Sequence, residues 1–164
     1  MTATTARNRD AAPAGGDPTA TPGPAAIGAL APLGYTLIRI AAGAILMPHG
    51  AQKLFGWFGG YGLAGTGEYF AGTLGLEPGL LFALLAGLVE FFGGLALVLG
   101  LLTRPAALAV TAFLAVALTF HIPNGFFWTA GGIEYPLLWM LVALGIFLRG
   151  GDRWSLDARL GLRI

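Results

Sequence analysis

The chain has 164 residues, of which 56% are hydrophobic and 10% charged, with a net charge of +1. Soluble domains carry roughly 25% charged residues, so a mean hydropathy of +0.76, delivered in long apolar blocks, excludes an ordinary soluble domain and indicates a multi-pass membrane protein. The absence of cysteine excludes disulfides, thiolate metal sites, iron–sulfur ligation and dithiol redox chemistry within the chain, and the balanced charge gives no reason to expect a nucleic-acid partner.

Residues 1–31 are rich in Ala, Pro, Thr and Gly and contain no long apolar run. Such a stretch buries too little surface to order itself, so a disordered N-terminal tail is expected. No apolar core follows Arg7 and Arg9 directly, as a secretory signal would need. A membrane domain is expected over 32–150 and a short interfacial segment over 151–164.

Four apolar segments make up the membrane domain: 32–56, 79–102, 105–122 and 134–149. The first two are long enough to span, and the last two are near the lower limit of roughly 17 residues. The third shows almost no polar face, which argues against a compact soluble bundle. Four spans place both termini on one side. Arg7, Arg9, Arg104, Arg149, Arg153, Arg159 and Arg163 then share that side, against Lys53 on the other. The positive-inside rule makes the arginine-rich side cytoplasmic.

Between the first two segments lies a Gly-rich, aromatic loop, 57–78, in which Thr66 is expected to cap a short interfacial helix ending near Leu74. Trp57, Phe58, Tyr61, Phe126, Phe127 and Trp128 are expected to form an aromatic belt at the outer surface, with membrane anchoring favoured over ligand stacking. After the fourth segment, Gly150–Gly151 marks a stop, and Ser155 is positioned to cap a short amphipathic helix.

Polar residues inside the apolar segments carry the functional signal. Glu90 stands about 17 Å from the outer end of the second span, close to the midplane. A charge there costs at least about 3 kcal/mol. Ala83, Gly87, Glu90 and Gly94 recur at four, three and four residues, so they share one helix face, and small residues at that spacing let helices approach closely. Glu90 is therefore expected to face other helices. Arg39, about 10 Å from the cytoplasmic end of the first span, is the expected ion-pair partner. Such a pair either fixes helix register or lines a ligand pocket or proton path, and intramembrane ionisable groups favour the second.

A second polar set lies nearer the outer surface: His49, Lys53 at i+4 from it, His121 and Glu134. Pro48 is expected to kink the first helix and turn His49 inward. Two imidazoles and a carboxylate suit iron or zinc, two histidines on different helices suit a haem, and imidazoles with a lysine suit the carbonyls of a quinone-like headgroup. Simple closure of the outer rim by hydrogen bonds competes with all three. The quinone is favoured among the ligands, and no metal or haem site is expected.

Taken together and in order, these pieces resemble the DoxX family of small bacterial membrane proteins, related to the DoxD subunit of thiosulfate:quinone oxidoreductase. The likeness rests on Arg39, His49-Gly50 with Lys53, Glu90 with Gly93-Gly94, Thr103-Arg104, His121 with Gly125-Phe126-Phe127, Glu134-Tyr135 and Ser155-Leu156-Asp157, and covers about 32–160. It implies a four-helix protein of the cytoplasmic membrane, linked to quinone-dependent redox chemistry or to protection against oxidative stress, and working with a second polypeptide.

The expected architecture is thus an all-α, four-transmembrane-helix bundle in a bacterial inner membrane, with both termini cytoplasmic. The expected function is a membrane subunit of a quinone-linked redox or oxidative-stress system, embedded in the lipid bilayer beside a second subunit or further copies of itself. Glu90 and Arg39 would carry catalysis, and His49, Lys53, His121 and Glu134 would bind the ligand. A non-enzymatic scaffold or assembly factor and a small-molecule or proton transporter are the alternatives.

Overall fold

The computed structural model describes residues 24–162 and 164. Residues 1–23 of the expected tail lie outside the described residues. Among those described there is no strand. The helices are α1 (Pro24–Phe55), α2 (Gly62–Leu74), α3 (Gly79–Leu99), α4 (Thr103–His121), α5 (Glu134–Arg149) and α6 (Leu156–Leu160). Short 3₁₀ turns at Trp57–Gly59, Ile122–Asn124 and Trp128–Ala130 shape the loops at one end. Residues 32–164 form one compact unit.

α1 begins at Pro24, before the expected start at residue 32. Proline is suited to a first helical position because it lacks the N–H that would go unpaired there, and alanines follow it. α1 continues through Pro32 and Pro48 as one helix. The stretches Leu30–Phe55, Gly79–Leu99 and Thr103–Asn124 are long and apolar enough to cross a bilayer. With 16 residues, α5 falls short of that length, reaching only about 24 Å at 1.5 Å per residue. Three full-length candidates therefore stand where four spans were expected. α5 packs along α4 as its closest neighbour.

The unit is small-residue inside and large-residue outside. Ala42, Ala83, Ala107 and Ala143 are buried with Leu97, Val110, Leu114 and Ile146, while Leu37, Leu81, Leu138 and Leu148 are exposed. That distribution suits a protein whose solvent is hydrocarbon, where close backbone approach replaces the hydrophobic effect as the source of helix association. The α1–α3 crossing shows it directly. A Cβ on Gly43 would collide with the carbonyl of Gly94, and one on Gly50 with the backbone of Phe91. Gly87 meets the Leu54 side chain in the same way. As the sequence spacing predicts, Ala83, Gly87, Glu90 and Gly94 are all buried.

α2 starts at Gly62, so Thr66 lies buried inside the helix rather than capping it. α2 packs on the start of α3, with the backbones of Gly67 and Gly79 in mutual contact.

Candidate functional site

Arg39 is buried and Lys53 partly buried; both are paired, and Arg39 with a different partner from the one the sequence suggests. Arg39 does not reach Glu90. Its Nε donates to Asp152 Oδ2 at 3.1 Å, and its Nη1 donates to the carbonyls of Leu97 and Val98. Those carbonyls belong to the last turn of α3, which ends at Gly100 in the left-handed conformation (φ 66°). The final four carbonyls of a helix have no partner within it, and the helix dipole concentrates negative charge there. A guanidinium at that point satisfies both demands. Arg39 lies nearer this end of the unit than Glu90 does, and the chain leaving α5 brings Asp152 against it.

The same tail segment closes the next turn. Asp157 accepts from Leu102 N at 2.7 Å, from Thr103 N at 2.8 Å and from Thr103 Oγ1 at 2.6 Å. These are the unpaired amides at the start of α4, and the carboxylate holds Leu102 in a left-handed conformation (φ 48°) that a β-carbon disfavours. Ser155 caps α6 as its sequence position predicts, accepting from Ala158 N at 3.1 Å. Tyr35 Oη donates to Gly150 O. Asp152, Ser155 and Asp157 are all buried, so the segment after α5 is built into the helix ends instead of lying loosely beside them.

Glu90 is paired separately, in the middle of α3. It sits in a π-helical turn, Val89–Gly93, inside α3. Such turns are rare and often mark functional positions. Because Gly50 allows α1 onto the backbone of Phe91 in this turn, Lys53 one turn later reaches the acid, with Nζ 2.6 Å from Glu90 Oε2. The contact is an ion pair in which the carboxylate is the more deeply buried partner. Lys53 Nζ also lies 3.5 Å from His49 O.

This pair borders a cavity of about 940 Å³ walled by α1 to α5 and otherwise mainly apolar. His49, Lys53, Glu90 and His121 all line it, so the structure brings together four of the six residues singled out in the sequence. The cavity reaches the surface beside Tyr69, Leu85, Val116 and Trp128, which are exposed. His121 Nδ1 is 2.6 Å from Gly131 O. A carbonyl only accepts, so Nδ1 carries the proton, and Nε2 is a bare lone pair whenever the ring is neutral. Glu134 is not among the lining residues. Its Oε2 accepts from Trp128 N at 3.1 Å, which folds the loop before α5. Arg39 is likewise absent from the wall.

Two features escaped the sequence. Trp139 lines the cavity with a buried Nε1–H that has no hydrogen-bond partner among the described residues, and one tryptophan among many apolar residues gives no warning of that. The Arg39–Asp152 pairing did leave a signal: Asp152 lies three residues past the end of α5, on the side nearer Arg39.

Comparison with known proteins agrees with this picture. The DoxX family profile matches residues 34–123, the stretch that carries Arg39, His49, Lys53, Glu90, Thr103 and His121. The uncharacterized membrane protein Rv3486 of Mycobacterium tuberculosis is 36% identical over 138 residues, covering 77% of this chain and 80% of its own. An uncharacterized protein of Haemophilus influenzae is 33% identical over 130 residues, covering 77% of this chain and 90% of its own. No solved structure matches. With more than half its length matched by the family profile and its apolar helices built to face lipid, the chain belongs to the DoxX family of membrane proteins.

Proposed function

We propose that this protein is the membrane subunit of a quinone-linked redox or oxidative-stress system, and that its cavity binds a quinone-like amphiphile entering from lipid. The observation that carries the reading is the Lys53–Glu90 ion pair on the wall of an otherwise mainly apolar cavity that His49 and His121 also line. Ligand sites are concave and mostly apolar, with a few convergent polar groups, and ionisable residues at membrane depth are seldom there for stability alone. The cavity volume of about 940 Å³ accommodates an aromatic headgroup and the first part of a chain. In this reading α5 completes a four-span unit by tilting little and drawing the bilayer in around it. The arginine-rich end faces the cytoplasm, and the membrane is the bacterial inner membrane. Glu90 and Lys53 supply charge and a proton site, His49 and His121 orient the headgroup, and Arg39 positions the tail. The chain has no cysteine and no flavin-binding fingerprint, so electrons pass to or from a second subunit.

The test is quinone-linked activity in membranes carrying either the native chain or Glu90→Gln, together with identification of the small molecules that copurify. We expect a quinone-class molecule in the native extract and at least a tenfold loss of activity in the variant at equal insertion. Full activity in Glu90→Gln would remove the catalytic role. Flux through liposomes containing this protein alone would instead make it a transporter.

A further inference from the structure

We infer that the cavity binds its aromatic occupant in the hydroxyl-bearing form, as a diol that donates hydrogen bonds, in preference to the dione. The inference rests on the proposed amphiphile site and adds the chemical state of the ligand. It follows from which way three polar groups on the wall are already committed.

Three of those groups are left as acceptors. Glu90 presents a carboxylate with about four lone-pair positions, and Lys53 at Oε2 is its one partner among the described residues. Two of the three donors of the Lys53 ammonium are turned to that carboxylate and to His49 O. His121 spends its Nδ1–H on Gly131 O, which leaves Nε2 as a lone pair. Asn124 donates its Nδ2 to the same carbonyl at 3.2 Å, which leaves its side-chain oxygen to accept. All three residues line the one cavity.

A dione carries acceptors only. It would face the carboxylate, the imidazole nitrogen and the amide oxygen with nothing to offer, and for the buried carboxylate a missing partner is costly. A dihydroxy aromatic ring donates from each hydroxyl. A hydroxyl oxygen also accepts, which suits the unpaired Nε1–H of Trp139 on the same wall.

The experiment compares three probes of equal chain length on the full native chain in lipid nanodiscs, by titration calorimetry. They are 4-hexylresorcinol, its dimethyl ether and 2-hexyl-1,4-benzoquinone. The resorcinol should bind about tenfold or more tightly than either of the others, since a hydrogen bond to a charged acceptor is the stronger kind. His121→Phe, which removes one acceptor at the rim, should shrink that ratio. Equal affinities, tighter binding of the ether or the dione, or a ratio unmoved in His121→Phe would overturn the preference for a donor while leaving the amphiphile site standing. Failure of all three probes to bind would overturn the amphiphile reading itself, and the inference with it.

Discussion

The unit holds two separate ion pairs, one at the tail end and one beside the cavity, and the two are finished differently. At the tail end, Arg39 and Asp152 have side chains 1% and 3% exposed, and the surrounding groups are tied to backbone. The guanidinium takes the last carbonyls of α3, Asp152 Oδ1 accepts from Trp154 N, and Asp157 takes the first amides of α4. At the loop end, Lys53 and Glu90 are 22% and 7% exposed, the carboxylate has a single partner, and a cavity lies beside it. A fully satisfied network rigidifies what it joins. A partly satisfied one at membrane depth is a cost unless something else completes it. The tail-end cluster is therefore architecture, and the loop-end cluster is where chemistry is to be sought.

The largest effect should come from breaking the satisfied end. Asp152→Ala leaves the Arg39 guanidinium buried and unpaired, and removing one partner of a buried pair costs about 3–5 kcal/mol. Thermal unfolding in detergent should show a loss on that scale, or no folded protein at all. The double variant Arg39→Met, Asp152→Leu should recover much of it, because apolar side chains can fill the site without a stranded charge. A fully stable Asp152→Ala would mean that the tail is not built into the helix ends. Thr103→Val tests the same end more gently. It removes one of three bonds to Asp157 in a side chain of similar shape, and should cost about 1 kcal/mol.

How much of this was legible beforehand depended on whether the signal was periodic. The small-residue face of α3 was readable because Ala83, Gly87, Glu90 and Gly94 repeat at helical spacing, and each proved buried. The cavity membership of His49, Lys53, Glu90 and His121 followed from their depth and from the rarity of polar residues in these segments. Pairing was not legible. Depth alone allowed Arg39 to reach Glu90, and the choice was settled by two things that no periodicity encodes: the return of the tail over the helix ends, and the π turn that presents Glu90 to α1. Thr66 shows the same limit on a smaller scale. It is a good cap by type, but Gly62 lets the helix start earlier.

At the loop end the two members of the pair should behave unequally. Lys53→Met leaves a carboxylate that is 7% exposed with no counter-charge, whereas Glu90→Gln leaves an ammonium on a flexible stem that is 22% exposed and can extend toward the surface. Loss of the lysine should therefore destabilise more, by about 2 kcal/mol against about 1 kcal/mol. Both should abolish ligand-dependent stabilisation in the same unfolding assay. Equal costs, or retained ligand response in either variant, would erase the distinction drawn between the two ends.

The smallest effect separates the cavity wall from its frame. Glu134 stands at the start of α5 and was expected among the ligand-binding residues, yet the contact it makes is with Trp128 N, and its position is outside the cavity lining. Glutamine retains an acceptor oxygen at that point. Glu134→Gln should therefore change stability by less than about 0.5 kcal/mol and leave ligand affinity where it was. His121, at the end of α4 where that loop begins, lines the cavity and is oriented by Gly131. His121→Phe should lower affinity several-fold with the fold intact. If instead the glutamine variant loses binding and the phenylalanine variant does not, the functional boundary runs through the loop and not along the cavity wall, and the ligand approaches from the Trp128 side.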